Sequence, residues 1–484
     1  MFGSVLDAIV FFALTNSIVG WATLKFNFKW LCGVYSLAGL SIASVELYEI
    51  SANAFSRPLE IPLNPMPFES YLRIDALSIF MSLTFILIGF FVTAYSIRFI
   101  ESEGGAPLYY TSLLLMIAGM IGVVSAGDFF TFFIFWELMC ISSYVLVSFR
   151  RQHWEPVEAG MKYLIMSSAG SAAILFALSL LYGLAGTLDF IRLADAMVNS
   201  RDIWIYAILM LTLLGFGVKS AIVPLHTWLP DAYSAAPSPI SAILSGVVTE
   251  TGIYALCRVL LTIFISLRAE WSMILAVLSI ITMTFGNIVA LLQVDLKRLL
   301  AYSSIGHIGY MLAGVATGTP LGLTGALLHI FNHALMKGNS FLCAGAFIYR
   351  IGGRRLDEIA GAGRRMPATA TALGISLFAL TGMPPLNGFI SELTIFTSTI
   401  QAGMAWLGVC IILNSAISAG YVLRVIRALL QSTNEGESAD IKEAPIVMLL
   451  PILLMAALVL LFGVWPDPAL KLAMKAASTL VLKG

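Results

Sequence analysis

Runs of about 20 apolar residues recur along nearly the whole chain, and no other feature restricts its fold as strongly. A single helix of that length crosses the hydrocarbon core of a bilayer. Of the 484 residues, 59% are hydrophobic and only 11% are charged, whereas about 25% are charged in an ordinary soluble domain. The sequence therefore predicts an all-α polytopic membrane protein.

The spacing of the apolar runs predicts roughly fourteen membrane-spanning helices. Helices seven and twelve are expected to be broken, each with a continuation beyond the break. The loops are short, so a soluble catalytic domain is not expected. The helices are predicted near residues 4–24, 30–50, 76–97, 108–126, 129–149, 161–184, 204–222 (continuing to 235), 239–265, 271–293, 298–316, 320–349, 367–383 (continuing to 400), 404–429 and 445–465.

The distribution of charge predicts an orientation and excludes some partners. The N-terminal run lacks a basic segment and contains Asp7, so it is interpreted as a first span and not as a cleaved signal peptide. Placing both termini outside leaves roughly twice as many basic residues on the inner side, as the positive-inside rule requires. We therefore predict a prokaryotic cell membrane protein with both termini outside. The formal net charge is zero, which gives no basis for a nucleic-acid partner.

One apolar helix carries a lysine close to a proline. Lys219 lies in LLGFGVKSAIVPLHTWLPDA, and Pro224 follows five residues later. A lysine inside the bilayer costs roughly 2.5–3.5 kcal/mol, and a proline breaks or kinks a helix. Freed backbone groups at that depth require protein or water as partners. A buried amine beside a helix break predicts part of an ion pathway, although Lys219 could instead extend its side chain to the membrane surface.

Other ionisable residues also fall inside predicted spans. His329, His333 and Lys337 are spaced four residues apart, which places all three on one helix face. Buried charges of this kind must face each other or water, and acids, amines and imidazoles in series are typical of proton relays. The remaining intramembrane acids are Glu137, Glu250 and Glu392, the last of which follows the prolines Pro384 and Pro385.

The sequence does not favour a metal or cofactor site. Two histidines four residues apart are a weak zinc signal without a third ligand. The five cysteines are isolated in apolar runs and do not form a CxxC motif, so ligands for an iron–sulfur cluster are not evident. We predict that this chain holds no metal and no redox cofactor. Any redox chemistry would belong to partner subunits.

Two segments suggest an internal repeat. PLHTWLPD at 224–231 aligns with PLNGFISE at 385–392, and each follows an apolar helix. Asp128 precedes the helix of Glu137 in one half, and Asp295 begins a helix in the other half. Helix breaks at matching places in two halves are typical of transporter repeats, whose substrate site lies between the halves.

Four segments of the chain resemble the antiporter-like subunits of respiratory complex I, Mrp-type Na⁺/H⁺ antiporters and membrane-bound hydrogenases. They are DFFTFFIFWELMCISSYVLV, VKSAIVPLHTWLPDAYSAAPSPISAIL, DLKRLLAYSSIGHIGYML and GALLHIFNHALMKGNSFL. The resemblance implies fourteen helices with two inverted five-helix repeats. The length favours the shorter members, such as the M-type protein of complex I or the D-type protein of Mrp antiporters. The expected division is 1–107 for helices 1–3, 108–265 and 271–429 for the repeats, and 430–484 for helix 14 and the tail.

The resemblance also implies roles for single residues. Glu137 would pair with Lys219, the face from His329 to Lys337 would carry protons onward, and Glu392 would lie at the exit. Glu250 departs from the pattern, because many members have a lysine or histidine at its position on helix eight. We expect Glu250 to pair with Lys219 or Lys337, to favour Na⁺, or to mark a subunit that conducts poorly. If it pairs with Lys219, it competes there with Glu137.

Three functions are therefore open. The chain is expected to be an ion-translocating subunit, for H⁺ and perhaps Na⁺, of a redox complex related to complex I. In that case its partners are homologous antiporter-like subunits, other membrane subunits and peripheral redox subunits, together with membrane lipid. The first alternative is a subunit of an Mrp-type antiporter without a redox partner. The second is a structural spacer that does not conduct.

Overall fold

The computed structural model describes residues 2–26, 28, 30–55, 57–63, 70–101, 103–197, 203–431 and 442–481. The first half of the described chain consists of helices with one small hairpin. They are α1 (Phe2–Phe26), α2 (Leu31–Ala54), β1 (Leu59–Pro62), β2 (Tyr71–Ile74), α3 (Ala76–Phe99), α4 (Ala106–Ser125), α5 (Phe129–Val147), α6 (Trp154–Ala185), α7 (Phe190–Met197), α8 (Trp204–Lys219), α9 (Trp228–Ala235), α10 (Ser238–Ile243) and α11 (Thr249–Thr262). A π-helical segment, Leu244–Val248, joins α10 to α11.

The second half of the described chain is entirely helical. A 3₁₀ turn at Ile265–Leu267 leads into it. Its helices are α12 (Arg268–Leu292), α13 (Leu296–Ala316), α14 (Pro320–Ile351), α15 (Ala362–Arg365), α16 (Pro367–Leu380), α17 (Asn387–Gln401), α18 (Ala405–Leu430), α19 (Ile446–Val464) and α20 (Asp467–Val481).

The helical membrane fold is confirmed. Helices occupy every region in which the sequence predicts one. Within the described ranges, ten helices are long and apolar enough to cross a membrane. The full count of fourteen spans therefore stays a prediction, because α14 and the shorter apolar helices do not meet that criterion.

Several elements were not predicted from the sequence. The segment after α2, which lies outside the predicted helices, contains the antiparallel hairpin β1–β2, in which Leu59 lies opposite Ile74. The short helix α7 and the terminal helix α20 were also missed. α20 buries small side chains, including Ala473, Ala476 and Ala477, and packs against α14 and α3. Apolar runs alone do not indicate such short or alanine-rich helices.

Both predicted helix breaks are present. α8 ends at Lys219 and α9 begins at Trp228, while α16 ends at Leu380 and α17 begins at Asn387. The peptide bonds before Pro224 and Pro385 are cis. Side chains satisfy carbonyl groups beside the breaks: Trp228 donates to the Val218 carbonyl at 2.8 Å, and Asn332 donates to that of Asn387 at 2.8 Å. The interrupted backbone is thus accommodated by protein partners, as irregular backbone at membrane depth requires.

The same local construction occurs once in each half of the chain. Asp128 caps α5 by accepting from the Thr131 amide at 2.8 Å, and Asp295 caps α13 by accepting from the Arg298 amide at 2.9 Å. The first amide of α5 bonds to the Leu188 carbonyl after α6, at 3.0 Å. The first amide of α13 donates to the carbonyl of Arg354, which follows α14 in the chain, at 2.9 Å. Five predicted crossings separate the two caps, so the predicted topology places them on opposite membrane faces, which is the arrangement expected of inverted repeats.

Candidate functional site

Lys219 is buried in a polar cluster at the end of α8, where the helix breaks. Its side chain is 1% exposed, and its Nζ atom donates to the Tyr163 hydroxyl at 2.8 Å. The same Nζ lies 3.3 Å from the Sγ atom of Cys140. The Tyr163 ring stacks on Trp228, with centroids 4.1 Å apart. Lys219 therefore points inward and does not extend to a membrane surface.

Glu137 does not form the predicted pair with Lys219. It lies on α5 one helical turn before Cys140, is only partly buried, and its Oε1 atom is buried without a hydrogen-bond partner. No ion pair is present between these two described residues, because the lysine is directed to Tyr163 and Cys140 instead. The prediction of a direct pair is wrong in this structure. Leaving a buried carboxylate oxygen without a hydrogen-bond partner costs free energy. Glu137 therefore remains a candidate functional residue that would bind water or a polar group at this oxygen.

Glu250 contacts a histidine and not a lysine. Its Oε1 atom lies 2.7 Å from the Nδ1 atom of His333, and neither side chain is exposed. The ring N–H direction does not align with the carboxylate, so this is a close polar contact and not a directional hydrogen bond. The Thr249 hydroxyl donates to the other carboxylate oxygen at 3.1 Å. A π-helical segment immediately precedes Thr249, and such segments are frequent at functional sites.

Lys337 is directed towards α13. Its Nζ atom donates to the Ser303 hydroxyl and, at 3.2 Å, to the Leu300 carbonyl. The lysine is fully buried. The expected pairing of Glu250 with Lys219 or Lys337 is therefore corrected, since the two lysines bind other partners and Glu250 contacts His333.

His329 lies at the other end of the buried face of α14. Its Nε2 atom is 3.1 Å from Nδ1 of His307 on α13, and its Nδ1 atom is 2.9 Å from the Ser391 hydroxyl on α17. The rings of His307 and His333 have centroids 5.2 Å apart. His307 therefore joins the two histidines of α14, and all three are fully buried.

Glu392 lies next to this histidine cluster. It is 7% exposed, accepts a hydrogen bond from Ser415 at 2.9 Å, and leaves Oε1 without a partner. Ligand atoms of Glu392, His307 and His329 all lie within 4.8 Å of one another. Gly382, in the break before α17, has φ +69° and sits against the Glu392 carboxylate, where a β-carbon would collide with Oε2. Glycine at this position therefore allows the break to approach the acid closely.

Several members of the site were not predicted from the sequence. His307, Tyr163 and Cys140 were each explained as ordinary buried residues or left unassigned. His307 occurs in SSIGHIGYM, an apolar helix with no histidine at helical spacing. Only the packing of α13 against α14 brings it to His329 and His333. Tyr163 on α6 and Cys140 on α5 instead contact Lys219 on α8. Contacts between different helices cannot be read from the periodicity of one helix.

Residues 126–418 match the transmembrane family of NADH:quinone oxidoreductase and the Mrp antiporter. This match spans more than half of the chain, which therefore belongs to the antiporter-like subunit family. Subunit N of the F₄₂₀H₂ dehydrogenase of Methanosarcina mazei is 37% identical over 425 residues, which cover 86% of this chain and 86% of that relative. The length favoured an M-type or Mrp D-type protein, whereas this relative carries the name subunit N.

Two solved structures share the fold. A chain of the membrane-bound sulfane sulfur reductase, an archaeal respiratory membrane complex, aligns with a TM-score of 0.88 and 30% identity, covering 96% of this chain and 76% of that chain. A chain of the Mrp complex from Dietzia aligns with a TM-score of 0.87 over 98% and 97% of the two chains. At 22% identity, the Mrp likeness concerns the fold alone.

Proposed function

We propose that this chain is an ion-translocating subunit of a redox-driven membrane complex and that it carries protons through its buried polar side chains. The observation that carries the proposal is the series of close contacts that starts at Glu250 and passes through His333, His307 and His329 to Glu392. Side chains of this kind are expensive in a membrane interior and are typical of ion pathways.

The chemistry of the series suits proton transfer. A neutral imidazole accepts a proton on one ring nitrogen and releases one from the other. His307 and His329 have ring nitrogens 3.1 Å apart, which is hydrogen-bond distance. A carboxylate stands near each end of the histidine group, at Glu250 and Glu392. A proton taken up at one acid can therefore be passed between imidazoles and delivered to the other.

The first half of the path is joined to Glu250 less directly. No hydrogen bond between described residues connects Lys219 to Glu250. Ser220 follows Lys219 in the chain, and its buried hydroxyl, which has no hydrogen-bond partner, faces Gly252 on α11, the helix that carries Glu250. A water molecule bridging this hydroxyl would complete the path, since buried water commonly satisfies such groups. We assign Lys219, with Tyr163 and Cys140, to the uptake side of the gap.

The relatives favour a redox complex over an Mrp-type antiporter. The curated relative at 37% identity is a dehydrogenase subunit, and the aligned chain at 30% identity comes from a sulfane sulfur reductase. The Mrp chain is less similar, at 22% identity. We infer that the partners are homologous membrane subunits and peripheral redox subunits, in a prokaryotic cell membrane with both termini outside. Lipid surrounds the exposed apolar side chains.

The spacer function is less well supported. A spacer needs no buried ionisable groups, yet Glu250, His307, His329, His333 and Lys337 are all fully buried. Burying such groups in a membrane costs free energy, and ionisable residues inside membranes are therefore usually functional. Na⁺ is the second candidate ion. Like other hard cations, Na⁺ prefers oxygen ligands, so the imidazoles of the histidine cluster are poor ligands for it.

Flux measurements on the assembled complex in vesicles test the relay. Glu250→Gln removes the proton-accepting carboxylate while keeping the side-chain size, and proton flux per electron transferred is expected to fall by about tenfold, or about 1.4 kcal/mol in barrier. Glu158→Gln is the control, because Glu158 is a surface acid on α6, with 46% of its side chain exposed, that pairs with Lys162. Unchanged flux in a fully assembled Glu250→Gln complex would overturn the proposal.

Purification of the native complex tests the parent assembly separately. An affinity tag on this chain should co-purify subunits that carry redox cofactors, visible by their absorption and identified by mass spectrometry. Recovery of membrane subunits alone, without any cofactor-bearing partner, would favour the Mrp-type alternative. The flux measurement tests the proton relay and the purification tests the redox partners, so failure of one can be distinguished from failure of the other.

A further inference from the structure

We propose that His307, His329 and Glu392 form a Zn²⁺ site inside the membrane and that the bound ion blocks the proton path. The three residues come from α13, α14 and α17, so the site exists only in the folded protein. The sequence argued against a metal because His329 and His333 lack a third ligand. The structure changes the set of ligands, since His307 replaces His333 and Glu392 supplies the oxygen.

The distances approach those of a zinc site. Zn²⁺ binds nitrogen and oxygen at about 2.0–2.2 Å, which separates neighbouring ligand atoms by roughly 3.3 Å in a tetrahedron. Nδ1 of His307 and Nε2 of His329 are 3.1 Å apart. The carboxylate of Glu392 completes a set of ligand atoms that all lie within 4.8 Å of one another. Three protein ligands leave a fourth position for water.

A hydrogen bond behind one ligand, His329, orients its ring as in known metal sites. The Ser391 hydroxyl donates to the Gly388 carbonyl at 3.0 Å and accepts from Asn332 at 3.2 Å. The Ser391 oxygen can still accept one more hydrogen bond, and Nδ1 of His329 lies 2.9 Å from it. We therefore place the ring hydrogen of His329 on Nδ1. The lone pair of His329 is then on Nε2, inside the site. A ligating histidine almost always donates its other N–H in this way.

One ligand side chain also has an unsatisfied atom. Oε1 of Glu392 is buried without a hydrogen-bond partner, while Ser415 holds the other carboxylate oxygen. Buried atoms of this kind demand a partner. An imidazole pair with one carboxylate favours Zn²⁺ over Na⁺, Ca²⁺ or Mg²⁺, which prefer oxygen ligands.

The helix break lies next to one ligand of the site. Glu392 lies against Gly382, and Met383, Pro384 and Pro385 follow directly along the break. Once bound, Zn²⁺ occupies the ring nitrogens that pass the proton, so flux stops while the ion is present.

Counting zinc in the purified complex tests the site without any transport assay. The complex is stripped with chelator, equilibrated with ZnCl₂, desalted and analysed by mass spectrometry of the metal. Wild type should retain one Zn²⁺ more than His307→Gln, and X-ray absorption of that extra ion should show imidazole scattering. The matched control is His226→Gln, because His226 packs edge-on against Phe285 away from the site and should leave the count unchanged.

Equal zinc in wild type and His307→Gln would overturn the site. If His307→Gln fails to assemble, Glu392→Gln provides the same comparison with little change in volume. Zn²⁺ should also slow proton flux in wild-type vesicles, and binding without slowing would overturn the blocking role. That part rests on the proposed function, whereas the zinc count does not, so the two failures are distinguishable.

Discussion

The Oε1 atom of Glu250 lies 2.7 Å from Nδ1 of His333, and both side chains are completely buried. Thr249 binds the second carboxylate oxygen. Glu250, on α11, is therefore held by an imidazole and a hydroxyl, with neither Lys219 nor Lys337 in direct contact. Glu250 consequently belongs to the histidine group of α14 and not to the lysine cluster of α8.

This arrangement predicts little Na⁺ dependence. An imidazole nitrogen occupies the position at which a cation would have to approach the carboxylate of Glu250. Proton flux of the wild-type complex is expected to be the same at low and high Na⁺. Glu250→Lys places an ammonium group beside His333 and should abolish flux at both concentrations. Flux that rises with Na⁺ in wild type and loses this response in Glu250→Gln would show that the carboxylate is a cation site.

The contact between Lys219 and Tyr163 predicts a selective effect on uptake. Tyr163→Phe removes the hydroxyl that accepts from Nζ at 2.8 Å and keeps the ring that stacks on Trp228. A hydrogen bond to a charged group contributes about 1.5–3 kcal/mol, so flux should fall by at least about tenfold.

Tyr95→Phe is the control for that change. Tyr95 is also fully buried, but its hydroxyl donates to the Leu342 carbonyl at 3.0 Å, outside the lysine cluster. The same loss of flux in both variants would mean that Tyr163 acts only through general stability. Assembly is checked in each case by the recovery of the complex.

A buried ion pair outside the path predicts an effect on stability. Arg258 on α11 and Asp75, the cap of α3, are 2.6 Å apart, with side chains 7% and 4% exposed. Asp75→Asn leaves the guanidinium without its charge partner and should destabilise the protein by about 3–5 kcal/mol. Thermal unfolding of the subunit in detergent measures this change.

Glu60→Gln is the matched control on the hairpin. Glu60 pairs with Arg73 at 3.5 Å, and its side chain is 56% exposed. Surface pairs contribute about 0–1 kcal/mol, so little change is expected. Equal melting temperatures for Asp75→Asn and wild type would contradict a stabilising role for the buried pair.

The break before α17 predicts a position-specific effect of alanine. Gly382→Ala introduces a β-carbon that collides with Oε2 of Glu392, in addition to the strain of φ +69°. Gly403→Ala carries a similar strain, at φ +74°, but no atom lies within 4 Å of its β-carbon. Both variants should lose some stability, and only Gly382→Ala should also lose proton flux. Equal flux in the two would show that the carboxylate tolerates displacement.

The features that the sequence predicted correctly are local ones. The helix breaks at Pro224 and Pro385 follow from proline chemistry, and the common face of His329, His333 and Lys337 follows from helical spacing. The matching positions of Asp128 and Asp295 were noted in the sequence, and the structure adds that both residues cap the helices that follow. Each signal lies within a few residues along the chain, where backbone geometry alone decides the outcome.

The partners across helices were not predictable in the same way. Charge complementarity suggested that Glu137 and Glu250 share Lys219, but packing directs the lysine to Tyr163 and Cys140. Opposite charges determine which pairs are favourable, whereas the rotation of each helix determines which pairs can meet. His307 could be found only from a relation between halves: it lies twelve residues after Asp295, as Cys140 lies twelve residues after Asp128.

That relation has a consequence for direction. The two capped helices share one scaffold, yet the residue at the matching depth is a thiol beside an amine in one half and an imidazole among imidazoles in the other. If the two halves are the predicted inverted repeats, turning the subunit over in the membrane would reproduce the backbone but not the order of chemical groups. The polarity of the protein resides in its side chains, and exchanging Cys140 and His307 would move the imidazole to the first half and the thiol to the second.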